Sequence, residues 1–242
     1  LLFIFPAYYV FKRASRDFYT LLIQVFLASL IWMGIKTYSL LFIFSHDFNG
    51  LASSLYSWIR DTKVGEITNM GEGFYRIFFQ SQIYYILGIF LLLSYWAREV
   101  YKQSGKIKIK IFSLISFFIS IIILSLSRSF WVGLVVALGA FFLLYLLDHS
   151  WKKTFRLLGQ VVAMFLLAFL FIVLIIKIPV GEHGGGKFSG DTFKERADLS
   201  QEEAAISSRW SLLPVMIKSI KDRPILGHGF GKTLTYESED PR

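Results

Sequence analysis

The sequence has no cysteine and few charged residues, and both shortages exclude classes of protein. Without cysteine the 242-residue chain has no disulfide, no thiolate metal site and no cysteine nucleophile, although its redox compartment stays undecided. Charged residues make up only 18% of the chain, which is too few for one ordinary soluble domain. The four histidines do not show metal-ligand spacing such as H-x-x-x-H, so we expect no metal ion. They are His46, His149, His183 and His228.

Apolar and aromatic residues are abundant instead. Hydrophobic residues make up 55% of the chain, 25 residues are Phe, and the mean hydropathy is +0.54. This composition predicts a polytopic membrane protein. The formal charge is +9, from 26 Lys and Arg against 17 Asp and Glu. In an apolar chain such an excess is more typical of cytoplasmic loops than of nucleic-acid binding.

The chain also lacks an initiator methionine and any charged segment ahead of its first apolar run, Leu1 to Val10. A signal peptide requires such a segment, so this run is not interpreted as one. The sequence stops at Arg242 inside a polar stretch. We therefore expect a piece of a longer protein, in which residues 1 to 10 are the tail of an earlier membrane span.

A membrane span requires about 20 mostly apolar residues to cross roughly 30 Å of hydrocarbon. Five stretches approach that length, and they are residues 19 to 44, 77 to 97, 111 to 126, 130 to 147 and 157 to 178. Only Ser127, Arg128 and Ser129 separate the third from the fourth, which predicts a tight helical hairpin. The predicted fold is all-α, a polytopic transmembrane helical bundle with a partly helical extracytoplasmic segment.

Lysine and arginine in short loops predict the orientation of the bundle. Three alternate loops carry the basic residues Lys12, Arg13, Arg16, Arg98, Lys102, Lys106, Lys108, Lys110, Lys152, Lys153 and Arg156. We place these loops in the cytoplasm, because the opposite loops, including residues 45 to 76, are nearly balanced or acidic. Because the cytoplasmic loops account for most of the excess positive charge, the sequence does not indicate a basic surface that binds nucleic acid.

Two domains follow from this layout. Residues 1 to 178 form the transmembrane bundle, and residues 179 to 242 form an extracytoplasmic segment that is cut short at its C-terminal end. That segment opens with a glycine-rich stretch at residues 181 to 190, and the S-x-x-E spacing from Ser200 to Glu203 predicts a helix start.

Two amphipathic helices are predicted outside the membrane. Leu213, Met216, Ile217 and Ile220 recur at helical spacing, Pro214 should kink or restart their helix, and Pro224 with Gly227 should end it. In the earlier outer loop a similar pattern predicts a short helix lying on the membrane surface. Its apolar residues are Leu51, Leu55, Trp58 and Ile59.

Three arginines on the predicted outer side form the candidate site. Arg128 lies between two apolar helices, Arg76 lies where the outer loop re-enters the bilayer, and Arg209 opens the outer amphipathic helix. Each alone is also interpretable as an interfacial arginine whose charged head reaches water. A guanidinium binds phosphate through two parallel hydrogen bonds and stays charged at any working pH. Together the three arginines therefore suit a diphosphate held at the membrane surface.

A glycine-rich run from Gly227 to Thr233 is similar to nucleotide-binding loops but fulfils neither motif. The P-loop requires glycine where Leu226 stands, and the dinucleotide fingerprint requires glycine where Lys232 stands. We interpret the run as a helix stop followed by a tight turn. His228 within it is not assigned a catalytic role.

Three of these motifs together resemble a known family. They are Ser127-Arg128 before an apolar helix, Arg209-Trp210, and the P-x-x-G-x-G-x-G ending from Pro224 to Gly231. Over roughly residues 70 to 235 the chain resembles the core of the O-antigen ligase and polymerase superfamily. The resemblance implies a multi-pass glycosyltransferase of the bacterial inner membrane that uses no metal ion, no nucleotide sugar and no other cofactor.

By the same resemblance, the donor is a glycan linked to undecaprenyl diphosphate, and the acceptor is lipid A core, a growing polysaccharide or sometimes a protein. Arg128 and Arg209 match the family's outer arginines that engage the donor diphosphate, and Arg76 matches a further one. The family's essential histidine is expected beyond Arg242, so the catalytic base stays unassigned. The sequence does not separate ligase, polymerase and protein glycosylation.

Two alternatives stay open at this point. A transporter or flippase for polysaccharide or lipid-linked oligosaccharide is also apolar and basic, but transporters tend to show internal repeats and broken helices, and we find no convincing repeat. A membrane scaffold without chemistry leaves the outer arginines unexplained. An outer H-N motif before another span, downstream of Arg242, favours the transferase.

Overall fold

The computed structural model describes residues 15–46, 48–71, 73–99, 105–178, 180, 203–224, 227, 229 and 233. The predicted partial span at residues 1 to 10, the glycine-rich stretch at 181 to 190 and Ser200 lie outside the described residues. The chain divides into two compact units, Leu1–Gly190 and Asp191–Arg242. The predicted domain boundary after residue 178 stays a prediction.

The described part of the chain is mainly helical, with one small β-hairpin. Its elements in chain order are α1 (Arg16–Ser45), α2 (Asn49–Thr62), β1 (Gly65–Asn69), β2 (Tyr75–Phe79), a 3-10 helix (Gln80–Ile83), α3 (Tyr84–Glu99), α4 (Gly105–Leu124), α5 (Arg128–Asp148), α6 (Trp151–Lys177) and α7 (Glu203–Asp222). The predicted all-α fold is confirmed.

Four helices, α1, α4, α5 and α6, are long and apolar enough to cross a membrane. They correspond to four of the five predicted spans. The first of them begins after Ser15, whose side-chain oxygen accepts a hydrogen bond from the Phe18 N–H at 3.3 Å. Such a cap satisfies one of the N–H groups that a helix start leaves without a partner in the helix.

The span predicted at residues 77 to 97 is wrong in its first third. Residues 77 to 79 belong to strand β2 and residues 80 to 83 to the 3-10 helix, so α3 begins only at Tyr84. Its 16 residues extend about 24 Å, less than the hydrocarbon thickness. Summed hydropathy does not distinguish an apolar strand from an apolar helix, which is why the sequence assigned both to one span.

The core of the first unit lies around the second half of α4. Ile115 to Leu124 are almost all buried, and Phe118, Ile121 and Ile122 are completely enclosed. The helix packs mainly against α6 and α3, with α1 closing a further side. By contrast, α5 buries only Phe130 and Leu134, both in its first two turns.

Polar side chains join these helices at a few points. The Tyr38 hydroxyl donates to Ser120 Oγ at 2.6 Å, which links α1 to α4. The Trp96 indole N–H donates to Gln160 Oε1 at 2.9 Å, which links α3 to α6. At the ends of α1 and α6, Nε2 of the buried His46 lies 2.6 Å from the Ile178 carbonyl oxygen. These hydrogen bonds fix the positions of the helices relative to one another along the axis of the bundle.

Both predicted amphipathic helices are present, and their position outside the membrane stays a prediction. Helix α2 covers the predicted apolar residues of the outer loop, of which Ile59 is buried while Leu51 and Trp58 are exposed. Helix α7 runs through Pro214 without a break, so of the two predicted effects of this proline the restart does not occur, while the kink stays a prediction. A proline inside a helix removes one backbone hydrogen bond, and here the remaining ones carry the helix onward. It ends at Asp222, shortly before Gly227 with φ +63°.

Candidate functional site

The site begins with the hairpin that carries Arg76. Strands β1 and β2 pair antiparallel, with Ile67 opposite Ile77 and Thr68 opposite Arg76. Because side chains alternate across a strand, Ile67 and Ile77 share the buried face. Glu66, Thr68, Arg76 and Phe78 share the other face. The hairpin therefore presents a charged face on an apolar base.

Arg76 points into the protein from this face. Its Nε donates to the Ser125 carbonyl oxygen at 2.8 Å, and Nη1 donates to Glu66 Oε2 at 3.2 Å. The guanidinium also lies over the Phe78 ring, 5.0 Å from the centroid. Only 12% of the Arg76 side chain is exposed, against 58% of the Glu66 side chain.

The bond to Ser125 outweighs the ion pair with Glu66. Hydrogen bonds from a charged group contribute roughly 1.5–3 kcal/mol when they are shielded from solvent. A pair with one partner well exposed typically contributes about 0.2–1 kcal/mol, because water and salt screen it. Arg76 is therefore fastened mainly to the chain segment between α4 and α5.

That segment is a tight turn of three residues. Ser125 Oγ donates to the Ile122 carbonyl oxygen at 2.7 Å and accepts a hydrogen bond from the Ser127 N–H at 3.3 Å. Between them, Leu126 has a φ of +44° and is 1% exposed. The left-handed region costs an L-residue roughly 1–2 kcal/mol, so the surroundings must hold Leu126 there.

Arg128 is the first residue of α5 and directly follows this turn. The Ser127 carbonyl oxygen accepts from the N–H groups of Phe130 and Trp131, each at 3.1 Å, which starts the helix. The hydroxyls of Ser127 and Ser129 lie 3.1 Å apart on either side of Arg128. A helix start carries partial positive charge, and Arg128 adds a full one. The two positive charges together favour the binding of an anionic group at the start of α5.

Aromatic contacts connect the hairpin to the start of α5 as well. The rings of Phe78 and Phe130 lie 5.6 Å apart, and the Trp131 indole N–H donates back to the Ile122 carbonyl oxygen at 3.2 Å. The structure thus brings together the segments that carry Arg76 and Arg128, as a site at one end of the bundle requires.

The base of the hairpin is fixed by Gln82, which is 1% exposed. Its Nε2 donates to the Ile77 carbonyl oxygen at 3.3 Å and to Thr37 Oγ1 of α1 at 3.4 Å. Its Oε1 accepts from the Phe79 N–H at 3.1 Å. One buried amide therefore ties the end of β2 to α1.

Arg209, the third predicted site residue, lies on α7 in the second compact unit. Its side chain lies outside the described residues, as does His228. The neighbouring Trp210 is 67% exposed. Within the described part of the chain, no three His, Cys, Asp or Glu side chains are grouped to hold a metal ion.

Sequence reasoning missed Glu66 and the Ser125 carbonyl as partners of Arg76. The signal available was the short stretch Glu66-Ile67-Thr68, in which polar and apolar residues alternate with the period of a strand. A stretch of that length is too short to outweigh the strong apolar signal that follows Arg76.

Comparison of the sequence with known protein families gives one match. The sequence model of a family described as O-Antigen ligase matches residues 111–242, which is more than half of the chain. No curated protein and no solved structure matches the chain. The matched range includes the turn before Arg128 and all of α7.

Proposed function

The chain belongs to the O-antigen ligase family, and on that premise we propose the reaction that it catalyses. It transfers a glycan from undecaprenyl diphosphate to lipid A core or to a growing polysaccharide. The protein is a multi-pass membrane protein of glycosyltransferase type, as its family and its apolar helices indicate. The proposed donor and acceptor go beyond the family assignment.

One observation carries the proposal. The matched range contains Arg128 at the start of a helix, and Arg76 from outside that range is hydrogen-bonded to the turn directly before it. Arg76 is thereby joined to the turn that leads into Arg128, at one end of α4. A diphosphate headgroup embedded at a membrane surface is the anion that such a place suits.

The proposed reaction requires positive charge next to the leaving diphosphate, which arginine side chains supply. A hydroxyl of the acceptor attacks the anomeric carbon of the donor sugar, and the bond from that carbon to the diphosphate oxygen breaks. Negative charge develops on the leaving diphosphate, while the sugar acquires oxocarbenium character. Fixed guanidinium groups stabilise that negative charge without having to reorganise as the reaction proceeds.

We assign the residues as follows. Arg128 and Arg209 bind the donor diphosphate, and Arg76 belongs to the same site. A general base accepts the proton of the acceptor hydroxyl, which typically accelerates such a step about 10²- to 10⁴-fold. That base is expected to be a histidine downstream of Arg242. The direct contact between Arg76 and the diphosphate that the resemblance implies is one alternative for the role of Arg76 in this site.

The proposed active face is extracytoplasmic, in a bacterial inner membrane. Lys106, Lys108 and Lys110 lie at the start of α4, and Lys152 and Lys153 lie at the start of α6. Arg76 contacts the turn at the opposite end of α4. Because cytoplasmic loops carry the excess of lysine and arginine, this distribution supports an outer position for the arginine site.

The transporter or flippase is not favoured by the family assignment. Ligase, polymerase and protein glycosylation all use the same donor chemistry. They differ in the acceptor, so an assay with several acceptors distinguishes them.

Substitution of the proposed donor ligands tests the function in cells. We expect Arg128→Ala and Arg209→Ala in the full-length protein each to abolish glycan transfer to the cell surface, because each removes a charge that binds the diphosphate. Membrane insertion should be preserved, since neither change shortens an apolar helix. Surface glycan is measured by immunoblotting, and insertion by membrane fractionation.

The matched control is Arg60→Ala. Arg60 lies on α2, its side chain is 67% exposed, and its ion pair is with the neighbouring Asp61. We expect this variant to display normal glycan. Normal display by Arg128→Ala or Arg209→Ala at wild-type protein levels contradicts the proposed function.

A further inference from the structure

We propose that Arg76 is a positioning residue, which holds the turn before Arg128 in the conformation that presents Arg128 to the donor. This inference rests on the proposed function, because it takes Arg128 as the residue that meets the diphosphate. It gives Arg76 a role other than that of a further diphosphate ligand.

The first reason is that the guanidinium of Arg76 is already engaged inside the protein. Nε donates to the Ser125 carbonyl oxygen, Nη1 donates to Glu66, and the Phe78 ring covers one side. Because only 12% of its side chain is exposed, Arg76 has little surface with which to contact the lipid-linked glycan donor. A phosphate at this guanidinium has to compete with bonds that the protein itself makes.

The second reason is the place where Arg76 binds. The Ser125 carbonyl directly follows the last residue of α4, and the C-terminal end of a helix carries partial negative charge. A cation is therefore stabilised there. Arg128 begins α5 three residues later, at a helix end of opposite polarity. Arg76 thus places its positive charge at the negative C-terminal end of α4. Arg128 lies at the positive N-terminal end of α5.

The third reason is the backbone between the two. Leu126, the residue after Ser125, has φ +44°, a conformation that L-residues adopt only when the surroundings impose it. Release of the Ser125 carbonyl allows Leu126 to relax. Such a relaxation turns the first residues of α5, and Arg128 is the first of them.

The hairpin is built to supply this restraint. Gln82 fastens the end of β2 to α1, and Phe78 packs against Phe130 of α5. Arg76 therefore projects from a strand that is held on both sides. A rigid strand transmits the position of α1 to the turn, which a flexible loop cannot do.

A double-mutant cycle separates positioning from direct binding. We expect Arg76→Gln to lower kcat/KM for the lipid-linked donor about tenfold when Arg128 is present, and less than about twofold when Arg128 is already replaced by Lys. The reason is that Arg76 acts through Arg128 and has nothing left to position once the arginine fork is lost. All four proteins are assayed in full-length form in lipid nanodiscs.

An additive result overturns the inference. A separate diphosphate ligand loses its contribution in both backgrounds, and so does a residue that merely keeps the protein folded. A tenfold loss in the Arg128→Lys background therefore contradicts positioning. Arg60→Gln is the matched control, since Arg60 lies in the same outer loop and is not in contact with the turn.

Amide hydrogen exchange tests the positioning without reference to activity. We expect exchange across residues 125 to 131 to be at least about tenfold faster in Arg76→Gln than in wild type or Arg60→Gln, because the turn opens more often. Unchanged exchange overturns the inference. If the wild type does not consume the donor, the proposed function fails, and faster exchange in Arg76→Gln then shows only that Arg76 restrains the turn.

Discussion

Single arginines of this chain have the same chemistry but very different surroundings. Arg60 and Arg76 both belong to the segment between α1 and α3, yet 67% of the first side chain is exposed and 12% of the second. The difference arises from strand pairing, which turns Arg76 toward Ser125. Residue type identifies a candidate charge, whereas the pairing decides whether that charge faces solvent or protein.

Glycine at position 34 is required by close helix packing. A Cβ on Gly34 of α1 lies 2.5 Å from the Phe117 ring of α4 and 3.1 Å from the Tyr85 hydroxyl of α3. We expect Gly34→Leu to destabilise the bundle by about 1–3 kcal/mol, because a larger side chain forces these helices apart. The measurement is the thermal unfolding temperature in detergent.

The control for this prediction is Gly139→Leu on α5. Apart from its chain neighbours and the backbone of its own helix, no heavy atom of the described residues lies within 4 Å of a Cβ at Gly139. An added side chain there extends from the bundle without a collision, so we expect the unfolding temperature to change little. Equal effects of the two substitutions contradict the packing of α1 against α4.

Whole elements were predictable where a long apolar signal defined them. Helices α1, α4, α5 and α6 follow from hydropathy, because an apolar run of that length has few alternatives to a membrane helix. Helices α2 and α7 follow from apolar residues at helical spacing. In these elements the local pattern and the final structure agree.

The hairpin was not predictable from local pattern. Strand β2 consists of Tyr75 to Phe79, and only the short 3-10 helix Gln80–Ile83 separates it from the apolar sequence of α3, so a hydropathy window merges the strand with the helix. Its identity depends on pairing with β1, which joins residues from Asn69 and Tyr75 at the turn to Gly65 and Phe79 at the open end of the hairpin. Tertiary pairing decides such short elements, and one sequence does not display it.

The site was predictable to a similar extent. The placement of Arg76 and Arg128 at one end of the bundle followed from counting spans. The bond from Arg76 to the Ser125 carbonyl did not, because it depends on the strand register and on the left-handed Leu126. The sequence therefore identifies the candidate arginines, whereas only the structure shows which groups Arg76 binds.

At the scale of the first compact unit, the basic residues at the starts of α4 and α6 lie at the opposite end of the bundle from Arg76 and the start of α5 with Arg128. The absence of cysteine makes this arrangement testable by labelling. We expect a membrane-impermeant maleimide to label Ser53→Cys on α2 in intact spheroplasts, because the positive-inside distribution predicts that α2 lies outside. Mass shift on a gel measures the labelling.

The companion variant is Ser150→Cys, at the exposed connection between α5 and α6. We expect this position to be labelled only after the membrane is permeabilised. Labelling of Ser150→Cys but not Ser53→Cys in intact spheroplasts contradicts the proposed orientation, and it moves the arginine site to the cytoplasmic face.

The most direct test of the central claim is the reaction itself. Full-length protein in nanodiscs is incubated with a glycan linked to undecaprenyl diphosphate and with candidate acceptors. We expect glycosylated acceptor and free undecaprenyl diphosphate to appear in equal amounts. Arg128→Ala should show no such reaction, and Arg60→Ala should react at the wild-type rate. No release of undecaprenyl diphosphate with any acceptor, or equal release by wild type and Arg128→Ala, contradicts the account.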